Sequence, residues 1–326
     1  LRETNRSLRV GVIGTGRLGR NHARVYASLD EIDSLAVYDR DVVRAHEVGE
    51  RYGATVCESV ESLLAGCDAV SICTPATKHA ESASMAFRRG VHVLVEKPIA
   101  SRTGEAVDMV RSARERGCVF QVGHIERFNG AFEAARALLK APRFIESHRL
   151  ATFTPRGTDV SVVLDLMIHD IDLVLSVLGG KQITDLRASG TGVLTDSPDI
   201  VNARLEFEGG CVANITASRI SRDPLRKIRF FQENMYISAD LREKSVEAFE
   251  KSPDVSLEAL TRDPTAFIRR VPVDVDGTEP LLKEIAAFIA AVRGGAEPLV
   301  TGEQGLEALR IAEEVQRTIG ECRERA

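Results

Sequence analysis

The sequence contains no apolar run approaching the ~20 residues that a bilayer-spanning helix needs, so no such helix is expected. It has no basic excess: 43 Lys and Arg stand against 48 Asp and Glu, a net charge of −5. Nucleic acid or an anionic membrane requires a concentrated basic face, so neither is expected as the main partner. Local basic clusters remain suited to a small anionic substrate. The six cysteines, Cys57, Cys67, Cys73, Cys118, Cys211 and Cys322, lack paired spacing. That argues against a disulfide framework or a zinc site and for buried free thiols. Internal repeats and low-complexity segments are also absent. The apolar run after the polar, basic first residues reaches only from Val10 to Ile13 before glycines interrupt it. That is too short for a signal-peptide core, and a cytoplasmic protein is expected.

What the sequence does have is ordinary globular composition, 44% hydrophobic and 28% charged, over 326 residues, a length that favours two domains. Up to residue 124, short apolar runs alternate with amphipathic stretches. Strands are expected at Arg9–Ile13, Ser34–Tyr38, Ala69–Thr74, His92–Val95 and Val119–Gly123. Helices are expected at Gly19–Ser28, Val42–Tyr52, Ser59–Ala65, Ala80–Arg89 and Gly104–Arg116. Strands interleaved with helices mean βαβ units and a parallel sheet.

The rhythm then changes. Helices are expected over Phe128–Ala141 and Val160–Leu178. Strand-like segments follow at Arg143–Phe153, Ile183–Val193, Ile200–Phe207, Cys211–Ile220, Lys227–Phe231 and Asn234–Ser238, and late helices at Glu279–Val292 and Glu303–Arg317. Short turns such as Glu208-Gly209-Gly210 predict an antiparallel sheet. Arg242–Asp276, with three prolines, reads as long hairpin strands or loops.

Gly14-Thr15-Gly16-Arg17-Leu18-Gly19 follows the first strand and opens a helix. In such a loop the first glycine permits the tight turn, the second admits a pyrophosphate to the backbone, and the third lets helix pack on strand. Helix N–H groups and the helix dipole then favour phosphate. The second strand ends at Asp39, whose carboxylate suits the ribose hydroxyls of NAD and repels the 2′-phosphate of NADP. NAD is expected rather than NADP, although Arg40 would suit that phosphate.

These pieces, with His22, Thr74-Pro75 and His79, Glu96-Lys97-Pro98, Arg127-Phe128 and Asp165-x-x-x-His169-x-x-Asp172, resemble the glucose-fructose oxidoreductase/inositol dehydrogenase/MocA family over essentially the whole chain. The resemblance implies an α/β protein with an N-terminal Rossmann parallel sheet. A C-terminal α+β domain with a large open, mostly antiparallel sheet would follow. It implies a cofactor domain over 1–124 and a substrate-binding and oligomerisation domain over 125–326, with the last helix packing back on the first. It further implies NAD(P)-dependent oxidation or reduction of sugars or cyclitols, and homodimers or homotetramers joined through the open sheet face. A cis bond often precedes the proline in this family.

Val122–Asn129 and Val163–Asp170 look more narrowly like a nucleotide-sugar branch, whose members oxidise the C3 hydroxyl of UDP-N-acetylglucosamine to a ketone. The branch's usual proline after Phe-Asn is Gly130 here, which is expected to loosen the helix start.

Alcohol oxidation needs a hydride acceptor over the carbinol carbon and a base for the hydroxyl proton. Lys97 sits at the carboxyl end of a strand, where open α/β sheets bind ligands. Asp165 and His169 are spaced i, i+4, and Asp172 continues that helix face. His169 is expected as base, being near its titration range at neutral pH. Lys97 would hold the reacting hydroxyl and Asp165 support both; Lys97 as the base stays open. A satisfied structural histidine is the alternative for His169, and Asp170 is expected to be structural. Metal ligation is not expected, since a third ligand is missing.

By the resemblance, Thr74, Pro75, His79 and Glu96 lie along the nicotinamide ribose. Arg127 would line the substrate side. A diphosphate would need one or two cations from Arg127, Arg149, Arg156, Arg219, Lys227 and Arg229. Three other functions stay open: a dehydrogenase of a free sugar or inositol, an NAD-assisted glycosidase, and a non-catalytic NAD-dependent sensor.

Overall fold

Apolar runs in the first third of the chain become strands buried on both faces. A computed structural model describes residues 8–154, 160–252, 258, 261, 268–294 and 296–324. The strands β1 (Leu8–Ile13), β2 (Ile32–Tyr38), β3 (Thr55–Val56), β4 (Ala69–Ile72), β5 (His92–Glu96) and β6 (Phe120–Gly123) form one sheet. Its order is β3-β2-β1-β4-β5-β6, and every pairing is parallel. The order reverses between β1 and β4, the position where doubly wound sheets open a ligand crevice. The two-residue β3 lies outside every expected strand.

Five helices connect these strands: α1 (Arg17–Tyr26), α2 (Val42–Tyr52), α3 (Val60–Gly66), α4 (His79–Arg88) and α5 (Thr103–Glu115). Helix α2 shows why the boundaries fall where they do. Asp41 caps its start by accepting from Arg44 N–H, and Gly53 ends it at φ +66°.

Two units make up the chain: Leu1–Ile125 with Glu279–Arg310, and Glu126–Thr278 with Ile311–Ala326. The expected continuous domain over 125–326 is thus interrupted by Glu279–Arg310, which belongs to the first unit. Helix α8 (Pro280–Val292) puts Leu281, Ile285, Phe288 and Ile289 into the apolar cluster of Val10, Val12, Tyr26 and Val37. Helix α9 (Gly302–Glu324) begins against β6, where a Cβ on Gly305 would lie 2.5 Å from Val122.

The second unit carries β7 (Pro142–Leu150), β8 (Ile183–Thr191), β9 (Ile200–Phe207), β10 (Val212–Ser218), β11 (Leu225–Gln232), β12 (Met235–Asp240), β13 (Ser245–Lys251) and β14 (Ile268–Val271). Their order is β14-β13-β12-β11-β7-β10-β9-β8. The pairings are antiparallel except β7 with β10. Alternation buries Ile145, Val201, Ala203, Leu205, Ile215 and Phe230 on one face. On the other face, Phe144, Phe231, Tyr236 and Phe249 are cross-strand neighbours in an aromatic ladder, with ring centroids 5.1–6.3 Å apart.

Two expected helices change form. Phe128–Ala141 becomes a 3₁₀ turn (Ile125–Phe128) and α6 (Gly130–Ala137), because Asn129 is extended and caps α6 through Ala131 N–H. Gly130 fits a close approach, since a Cβ there would lie 2.0 Å from the Asp276 carbonyl oxygen. Val160–Leu178 becomes a π-helical turn (Val163–Met167) running into α7 (Ile168–Leu178).

Candidate active site

The glycine loop is built as its spacing requires. Gly14 has φ +90°, and its N–H donates to Tyr38 O at 2.7 Å. A Cβ on Gly19 would lie 1.8 Å from Gly14 O, so helix and loop touch backbone to backbone. A Cβ on Gly16 would meet nothing within 4 Å, which leaves the approach to α1 open. Gly16 provides no side-chain cap and the first turn of α1 has no acidic residue. The N–H groups there are suited to an anion. Arg17 and Leu18 are exposed beside them.

Asp39 directly follows β2, with its side chain 8% exposed. Its Oδ2 accepts from Thr15 N–H at 2.7 Å and Thr15 Oγ1 at 3.2 Å, and its Oδ1 from Asp41 N–H at 2.9 Å. The carboxylate thus braces the loop and keeps lone pairs for further donors. Arg40 is exposed. Arg44, which the sequence reading did not single out, stands 3.7 Å from Asp39 on the first turn of α2.

Past β4, Thr74 Oγ1 is buried and has no hydrogen-bond partner among the described residues. Pro75 is exposed, and His79 is the first residue of α4, 1% exposed. The imidazole bridges two carbonyl oxygens, Thr74 O at 2.8 Å from Nε2 and Pro98 O at 2.9 Å from Nδ1. Burial lowers its pKa against those two carbonyls. A neutral ring donates to only one of them at a time.

Glu96 closes β5, and the Lys97–Pro98 peptide is cis. Glu96 Oε1 lies 3.0 Å from His22 Nε2, and Oε2 accepts from Lys97 N–H at 3.3 Å. Burial would raise the Glu96 carboxyl; His22, then Lys97, more than offset this and hold it below the ordinary carboxylate range. The three glycines, the open α1 terminus, Asp39 and the buried Thr74 hydroxyl together fit a dinucleotide.

In the second unit Asp165 is exposed within the π turn, and half-buried His169 lies on the first turn of α7. Single π turns are frequent at functional sites. Asp172 and Asp170 are buried. Asp172 takes both arms of Arg127, at 2.6 and 2.8 Å. Arg127, expected on the substrate side, is therefore 3% exposed in an internal ion pair. Asp170 is structural: it accepts from Ser147 Oγ at 2.7 Å and Arg149 Nε at 2.6 Å, while Arg149 also donates to Glu126 at 2.8 Å. The remaining expected cations have carboxylate neighbours too: Arg219 by Asp199 at 4.0 Å, Lys227 by Asp240 at 3.7 Å and Arg229 by Glu146 at 2.8 Å. Arg156 lies outside the described residues.

The doubly wound sheet, its glycine loop and the acidic end of β2 define a nucleotide-dependent enzyme, and comparison with known proteins fixes the class as oxidoreductase. The Gfo/Idh/MocA model, an oxidoreductase family with an NAD-binding Rossmann fold, matches residues 8–124, and the Gfo/Idh/MocA C-terminal domain model matches 121–237. UDP-N-acetylglucosamine 3-dehydrogenase of Acidithiobacillus ferrooxidans is 37% identical over 310 residues, 95% of this chain and 96% of that protein. Inositol 2-dehydrogenase of Rhizobium meliloti is 28% identical over 98% of each chain. A solved structure of the Acidithiobacillus ferrooxidans enzyme superposes with a TM-score of 0.89 at 36% identity, covering 96% of this chain and 97% of that one. The chain belongs to the Gfo/Idh/MocA family and is an NAD-dependent oxidoreductase acting on CH–OH groups.

Proposed function

We propose that this enzyme oxidises the C3 hydroxyl of a UDP-N-acetylhexosamine to a ketone. The carrying observation is the full-length likeness to a UDP-N-acetylglucosamine 3-dehydrogenase, at 37% identity against 28% for the inositol 2-dehydrogenase. NAD, when bound, supplies the hydride acceptor. The Gly14–Gly19 loop and the start of α1 bind the pyrophosphate. Asp39 receives the adenosine ribose hydroxyls. Thr74, Pro75 and Glu96 line the nicotinamide ribose, and His79 braces them through the Thr74 and Pro98 carbonyls.

His169 takes the hydroxyl proton as the C–H bond breaks. Lys97 donates to the reacting oxygen and holds it in line. Asp165, exposed one turn before His169, orients that ring or accepts from a neighbouring sugar hydroxyl.

The half-exposed aromatic ladder supports association through the open sheet face, as a homodimer or homotetramer. A cytoplasmic setting accords with the free thiols of Cys57, Cys67, Cys73, Cys118 and Cys211. No helix among the described residues is long and apolar enough to cross a membrane.

The site assignment is tested with Lys97→Met and His169→Ala. Each variant is expected to keep NADH affinity, read by fluorescence titration, and to lose at least about 100-fold in kcat. Full activity in the double variant would overturn both roles.

A further inference from the structure

We infer that His22 is a positioning residue, which holds the Glu96 carboxylate toward the cofactor through Nε2, with Tyr26 and Ser71 fixing its tautomer. This rests on the reading above, in which Glu96 faces the nicotinamide end of NAD.

Four side chains form the line. Tyr26 OH lies 2.8 Å from Ser71 Oγ, Ser71 Oγ 3.0 Å from His22 Nδ1, and His22 Nε2 3.0 Å from Glu96 Oε1. Tyr26, Ser71 and His22 are each at most 1% exposed, so no bulk water completes their bonding. The carboxylate at the end of the line sets its direction. Burial raises the Tyr26 pKa, so the phenol keeps its proton and is able to donate a hydrogen bond to Ser71 Oγ. Ser71 Oγ, with the Tyr26 hydroxyl on one side, donates its one hydrogen bond to His22 Nδ1 in the Nε2–H tautomer. A carboxylate only accepts, so the hydrogen of this contact lies on His22 Nε2, which donates it to Glu96 Oε1.

The surroundings suit a fixed carboxylate. Glu96 pairs in register with Gly123, whose Cβ, if present, would lie 3.2 Å from Glu96 Oε2. Among the described residues, the other titratable groups facing the line are Cys67 after α3, Cys73 after β4, Lys97 after β5, His79 on α4 and Glu284 on α8. Burial holds the Cys73 thiol well above its usual range, so it stays neutral. The ligand atoms of His22, Cys73 and Glu96 lie within 4.8 Å of one another. At 3.0 Å, the His22–Glu96 contact has the length of a hydrogen bond.

Without the His22 donor, burial dominates and the Glu96 carboxyl protonates at higher pH. A protonated Glu96 is a weaker acceptor for ribose hydroxyls, so cofactor affinity should fall at acid pH alone. The test is NADH fluorescence titration from about pH 5 to about pH 9, with thermal melts to confirm folding. The chain has no tryptophan whose emission NADH would absorb.

In His22→Ala the dissociation constant is expected to rise about tenfold at the acid end and to return within about twofold of the parent at the alkaline end. His22→Gln, which keeps an N–H donor, should follow the parent. Ser71→Ala should shift as His22→Ala does, by less, and carries the comparison if His22→Ala does not fold. His79 is unchanged throughout, so its own titration cancels between variants. Weakening equal at all pH values, or none, would overturn the positioning role. A parent that fails to bind NADH would instead overturn the proposed function and this inference with it.

Discussion

At the scale of single residues, Asp39 joins two tasks. It ties the glycine loop to β2 through Thr15 and presents the carboxylate expected to select NAD. Asp39→Ala removes both, and of the two carboxylates beside Arg44 leaves only Asp41. NAD affinity should drop about tenfold, the worth of roughly one charge-assisted hydrogen bond, while NADP affinity holds or rises. Parallel titrations with NADH and NADPH measure this; unchanged discrimination would show that Asp39 does not select the cofactor. The loop glycines and Asp39 were legible in the sequence because their constraints are local: a turn, a helix start, a strand end. The His22–Ser71 bond was not, since it joins positions 49 residues apart that only the packing of α1 on β4 brings together.

Among elements, α7 and β7 are held by buried charge. Arg149 joins Asp170 and Glu126 with almost no solvent. Burial would lower the Arg149 pKa, but the two carboxylates more than reverse this and it stays ionised. Burial would likewise raise the Glu126 carboxyl, and Arg149 outweighs that, so its folded pKa lies below the ordinary 4.5. Its stabilisation is therefore present above pH 4.5 and lost as pH falls through the folded value. Arg149→Ala strands two buried carboxylates and should destabilise the protein by about 3–5 kcal/mol at neutral pH. Urea unfolding should show this, with the deficit shrinking in acid; a neutral substitution would mean the network contributes nothing net.

The sequence presented Arg127 and Arg149 as possible diphosphate ligands because composition cannot tell a solvated arginine from a paired one. It also concealed the π turn, since Val163–Leu178 is apolar at most positions and a one-residue shift of its period leaves no mark.

For the whole molecule, the parallel sheet could be read from nearly all-apolar runs, each followed by a helix. The second sheet could be read only as antiparallel hairpins. Strand β7 precedes α7 and inserts between β10 and β11, giving the parallel pair that no local turn announces. The return of α8 to the first unit depends on Leu281, Ile285 and Phe288 meeting a core formed some 250 residues earlier, a long-range match beyond sequence pattern. The central claim is about the substrate. Its most direct test is absorbance at 340 nm with NAD, UDP-N-acetylglucosamine and an aminotransferase to remove the ketone. UDP-glucose, free N-acetylglucosamine and myo-inositol are assayed in parallel. The expected result is NADH formation with UDP-N-acetylglucosamine at a kcat/KM at least about 100-fold above each of the others. NADH formation with a free sugar or inositol, and none with the nucleotide sugar, would contradict it.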